Sequence, residues 1–201
     1  MAQARDDLIA YFGYGSLVNL NTLRTDYVSA YPATLRGWER VWLPRPKLAG
    51  SFAPVEGLAF LSARPNPASV IDGMIVIDRA ASLPALDQRE ALYRRHRIDM
   101  AQLTLVSPAH EAATNLPLFM YVADVELADQ PAPQILRSYL DAVFQGYLMH
   151  FGPDGVRRFI NTTANFDLAI TEDRDAPIYP RAVATTDEEL SLFDQLLLRS
   201  A

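Results

Sequence analysis

An apolar run, Leu8-Ile9-Ala10-Tyr11-Phe12, passes straight into Gly13-Tyr14-Gly15-Ser16. The run reads as a strand, and two glycines one residue apart signal a tight turn or a close approach of backbone to a neighbour. Strand patterns of β-branched and aromatic residues recur at 8–14, 33–43, 56–63, 70–78, 93–106 and 116–127. Pro-rich stretches at 45–55 and 63–69 read as loops between them.

Helical spacing appears later. Residues 82–92 begin with Ser82 as the N-cap and Pro84 in the first turn. Residues 133–151 carry Leu136, Tyr139, Leu140, Val143, Tyr147 and Phe151 on one stripe and stop at Gly152-Pro153. A short helix over 155–160 follows, and 185–198 forms a terminal helix with a capping-box start. Strands first and helices late, without βαβ alternation, predict an α+β fold with a mixed, largely antiparallel, barrel-like sheet and flanking helices. No repeat or linker interrupts the 201 residues, so one domain over 1–201 is expected.

Composition narrows the function. A net charge of −6, with no dense basic run, argues against a nucleic-acid partner. The chain has no cysteine, which excludes disulfides, thiolate metal sites and a cysteine nucleophile. His96, His110 and His150 lack ligand spacing, so no metal site is expected. Asp6 and Asp7 fall where a signal peptide needs its apolar core, and no run is long enough to span a membrane. A soluble, cytoplasmic protein is the expectation.

Three familiar motifs fail at the opening turn. Val18 replaces the third glycine of a dinucleotide fingerprint, no nucleophile elbow surrounds Ser16, and the phosphate loop is absent. The turn either reverses the chain or presents its N–H groups and the Ser16 hydroxyl to an anion. Glu90 shares a helix face with Leu83 and Leu86, while Asp87, Gln88 and Arg89 point to solvent. That places Glu90 in the core or in a cleft, where desolvation raises a carboxyl pKa. The alternative is a helix-end carboxylate bonded to Tyr93 or Arg94.

Tyr139 lies on the inner stripe of its helix, and Gly146 seven residues on suits a backbone contact. A plain core tyrosine and a helix–sheet contact serve equally. Tyr93-Arg94-Arg95-His96-Arg97 suits a solvated strand edge, Arg45 and Lys47 a solvated loop, and Asn161-Thr162-Thr163 a helix cap.

Order and spacing carry a resemblance. The Tyr14-Gly15-Ser16-Leu17 turn comes first, then the Leu35–Trp42 and 70–77 strands. The Asp87-x-Arg89-Glu90 segment follows, and then the helix that opens Ser138-Tyr139 and reaches Gly146-Tyr147. Together these features resemble the γ-glutamylcyclotransferase superfamily over residues 8–165. The Tyr14–Leu17 and Asp87–Glu90 segments are most similar to its ChaC-type branch. The Gly-Pro-Ser-Gly-Asn-like approach to the late helix usual in that branch is missing, and 166–201 has no counterpart.

The resemblance implies the γ-glutamylcyclotransferase-like fold and a small-molecule γ-glutamyl substrate, with no cofactor. It implies that the substrate's α-amine attacks its own γ-carbonyl to release 5-oxoproline. Glu90 would be the general acid and base, and Tyr14, Gly15, Ser16, Leu17 and Tyr139 would bind substrate. The substrate stays open between glutathione, γ-glutamyl amino acids and γ-glutamylamines. A non-catalytic binding module on the same fold is the alternative, and the oligomeric state is not legible.

Overall fold

The computed structural model describes residues 7–23, 25–44, 57–106, 116–123 and 133–199. The 45–55 loop with Arg45 and Lys47, the end of the 116–127 strand, and His110 lie outside the described residues. In chain order the first elements are β1 (Leu8–Gly13), β2 (Ser29–Pro44), β3 (Ala59–Arg79) and α1 (Leu83–Arg89). Then come β4 (Arg94–Arg97), β5 (Leu103–Leu105), β6 (Leu118–Val122) and β7 (Ile135–Leu136). The last are α2 (Arg137–Asn161), β8 (Thr163–Ala164), β9 (Ile170–Thr171) and α3 (Asp187–Leu198).

The main sheet runs β4-β6-β1-β3-β2-β5, with β8 beside β2. Its pairings are antiparallel except β1 with β6 and β2 with β8. The architecture is therefore α+β, with a mostly antiparallel central sheet and flanking helices, as the element order predicts. β1 is an inner strand, and Ala10, Tyr11 and Phe12 are all buried. Burial on both faces explains an unbroken apolar run where a half-exposed strand would alternate.

One predicted loop is a strand. Residues 63–69 belong to β3, which runs through Pro65 and Pro67. The register against β2 shifts between Arg36 and Trp38, and this irregularity takes up the extra residues. Side chains replace part of the ladder there: the Asn66 side-chain carbonyl accepts from the Ala68 amide, and its amide donates to Glu39. The predicted strand over 93–106 is instead β4 and β5, separated by a 3-10 turn capped by Asp99.

α2 starts at Arg137 rather than residue 133, because Ile135–Leu136 pair with β9. Gly152 leaves helical geometry at φ 65°, so the predicted stop at Gly152-Pro153 is a kink between two helical stretches. Leu140, Val143, Phe144 and Tyr147 are fully buried in the main core. Burying an apolar side chain of this size contributes roughly 1.5–3 kcal/mol. Phe193 of α3 covers Phe144, with ring centroids 5.5 Å apart. Thr186 and Glu189 form the predicted capping box of α3. Among the described residues no helix is long and apolar enough to cross a membrane.

Candidate active site

β1 ends at Gly13, and a 3-10 turn over Ser16–Val18 follows at once. The Val18 and Asn19 amides donate to the Gly15 and Ser16 carbonyls at 3.0 and 3.1 Å. The turn's first amides, Ser16 and Leu17, have no carbonyl within the turn to bond. Asn19 anchors the turn on α2: its side-chain amide donates to the Ala142 carbonyl at 2.8 Å and to Gln145 at 3.0 Å. Gly146 completes the contact. A Cβ there would lie 2.6 Å from the Asn19 amide nitrogen, so only glycine lets the helix backbone reach the turn.

Gly15 has a similar steric reason. A Cβ on it would stand 2.8 Å from the Tyr139 hydroxyl. The Ser16 amide hydrogen-bonds that hydroxyl, while burial and then the neighbouring Tyr179 push its pKa well above the usual tyrosine value. Tyr139 is thus a neutral polar group beside the turn. Behind the turn, the Tyr147 hydroxyl faces the Asp72 and Tyr14 carbonyls at 2.7 and 2.9 Å. It accepts from buried Arg40 at 3.0 Å. Tyr14 itself donates to the Tyr121 carbonyl at 2.6 Å.

Glu90 follows α1 as its C-cap, and its amide still bonds the Leu86 carbonyl at 3.0 Å. Leu86 is buried, so the helix face that carries Leu86 also carries Glu90 inward. Ser82, the predicted N-cap, makes no capping bond, because a 3-10 turn over Ala80–Ser82 leads into the helix. Arg89 departs from the expected solvent position. Its Nε donates to Glu90 Oε1 at 2.8 Å, and its terminal nitrogens to the Thr22 carbonyl and hydroxyl at 2.9 and 3.3 Å. Tyr93, one expected partner of Glu90, donates instead to the Leu61 carbonyl at 2.8 Å. Asp87 is likewise engaged, accepting from Tyr121 at 2.6 Å.

All six residues picked out by sequence line one cavity of about 630 Å³: Tyr14, Gly15, Ser16, Leu17, Glu90 and Tyr139. Sequence reasoning missed Tyr93, Tyr121, Tyr179 and Arg181 as site residues, and they line it too. The Tyr179 ring meets Tyr139 edge-on at 5.0 Å. The signal for Tyr179 and Arg181 was an aromatic and a cation flanking Pro180, in a stretch with no helical or strand period.

The tail that carries them is tied to α2. Asp173 accepts from the Ser138 amide at 2.7 Å and its hydroxyl at 2.6 Å, supplying the cap that Leu136 cannot. Arg174 holds Asp141 through two bonds, at 2.7 and 2.9 Å. The first turn of α2, and Tyr139 with it, is therefore fixed by a residue 35 positions later in the chain.

Solved structures share this arrangement of strands and helices. One described as a gamma-glutamyl cyclotransferase superposes with a TM-score of 0.54 at 11% identity, over 94% of this chain and 99% of that one. The fold is that of the γ-glutamyl cyclotransferases. The uncharacterized protein loc79017 from Homo sapiens matches with a TM-score of 0.54 at 13% identity, over 94% of this chain and 99% of its own. YkqA from Bacillus subtilis matches with a TM-score of 0.55 at 14% identity, over 82% of this chain and 58% of that longer one. No family model matches the sequence, and no curated protein matches it. The γ-glutamyl cyclotransferase fold is therefore kept at identities where little of the sequence is shared.

Proposed function

We propose that this chain is a γ-glutamylcyclotransferase that releases 5-oxoproline from glutathione or γ-glutamyl amino acids without a cofactor. The observation that carries the reading is the meeting of Glu90, the Gly15–Leu17 turn and Tyr139 in one cavity of this fold.

Glu90 takes a proton from the substrate's α-ammonium group. The freed amine attacks the γ-carbonyl carbon, forming the ring carbon–nitrogen bond and moving charge onto the carbonyl oxygen. The turn's amides stabilise that charge. Collapse breaks the original amide bond, Glu90 returns its proton to the departing nitrogen, and the ring nitrogen gives up its second proton to the departing amine, which leaves as an ammonium ion. Binding the extended γ-glutamyl chain in a bent form supplies the proximity that ring closure needs.

Arg89 occupies Glu90 Oε1, which favours a second reading, a binding module on the same fold. Mass spectrometry separates the two. Purified protein incubated with glutathione, γ-glutamyl-alanine and a γ-glutamylamine should release 5-oxoproline from at least one. Binding without release from any would move the assignment to the module.

A further inference from the structure

Arg181 is the feature of the cavity that the reaction does not use. It lies in a turn closed by the Ala182 amide bonding the Tyr179 carbonyl at 3.1 Å. Pro180 occupies the second position of that turn, where its fixed φ stiffens the backbone. The guanidinium sits over the Tyr179 ring, 5.5 Å from its centroid, and its Nε donates to the Tyr179 hydroxyl at 3.3 Å. Tyr179 is in turn buried against Leu58, Leu136 and Ala142. The cation is held on a rigid aromatic platform.

Among the described residues no carboxylate pairs with Arg181, and its two terminal nitrogens have no acceptor. Arg89, the other cation on the cavity wall among the described residues, is consumed by Glu90 and Thr22. Glu90, which lines the same cavity, acts on Arg181 electrostatically, yet the two do not form an ion pair. The cavity lining thus carries an anion and a cation whose two terminal nitrogens find no acceptor among the described residues. A guanidinium partly withdrawn from water gains most from a carboxylate that both nitrogens can grip.

The geometry points to Arg181 as a substrate-binding residue that grips a carboxylate of the ligand. This rests on the γ-glutamyl reading of the site. Such ligands have two sources of that group: the α-carboxylate of the γ-glutamyl unit, or the carboxylate of a departing amino acid.

Titration calorimetry in the Glu90→Gln background tests it with γ-glutamyl-alanine and γ-glutamylethylamine, the second lacking a carboxylate on its leaving amine. Arg181→Gln should weaken binding at least about tenfold, the effect of losing one charge-assisted contact. Weakening for both ligands identifies the α-carboxylate; weakening for γ-glutamyl-alanine alone identifies the leaving group. Arg181→Lys should recover part of the loss. Unchanged affinity for both ligands, with the thermal transition of the parent, overturns the inference. If neither ligand binds the folded protein with Arg181 in place, the γ-glutamyl reading itself fails, a result seen before any change at Arg181.

Discussion

Gly146 on α2 and Asn19 after the turn are in backbone contact, so close that a methyl group on the glycine would overlap the asparagine amide at 2.6 Å. Gly146→Ala gains about 1 kcal/mol of helix propensity. The overlap costs up to about 3 kcal/mol, because backbone rather than a mobile side chain must yield. A net loss of about 1–2 kcal/mol is expected in urea denaturation, with reduced activity as the turn is displaced. Equal or higher stability with full activity would show that the contact is loose.

Glu90→Gln keeps the size of the side chain and its bond to Arg89 while removing the proposed proton shuttle. Turnover should fall by about 10²-fold or more. Thermal stability and affinity for a γ-glutamyl ligand should stay near the parent. Parent-like turnover would remove Glu90 from the chemistry.

Tyr139→Phe removes the hydroxyl that the Ser16 amide bonds. The loss of that neutral hydrogen bond is worth about 1 kcal/mol. A fall in kcat of several-fold with little change in KM is expected in steady-state kinetics. A change confined to Tm would make Tyr139 a core residue only.

Alkaline pH should unfold the protein through its buried tyrosines. Burial raises Tyr14, Tyr93 and Tyr139 above the usual range and pushes Tyr147 up to about 12. Above pH ~10 the unfolded chain releases phenolic protons that the folded one keeps, so stability falls as pH rises. The contribution is fully present below that pH. The expected slope is about 1.4 kcal/mol per pH unit for each such tyrosine. Denaturation midpoints measured between pH ~9 and ~11 would check it, and a flat profile would contradict it.

Particular residues show what the sequence carried. The Gly152-Pro153 break and the Thr186–Glu189 cap are local signals, decided within a few residues. Glu90 was legible because helical spacing alone ties it to Leu86. Arg89 was not, since its partner Thr22 is 67 residues away and its long side chain folds back from the helix. The 63–69 strand was hidden by prolines that the register shift accommodates. Tyr179 and Arg181 sit in an irregular segment, where no periodicity reveals which side faces the cavity.

The Asp173 and Arg174 anchors place the cavity's last wall late in the chain. The turn near residue 15 and the carboxylate at 90 are made long before that wall exists. Synthesis therefore completes the turn and the carboxylate before their enclosure, and a lesion in the tail would both open the cavity and loosen the first turn of α2, with Tyr139 on it.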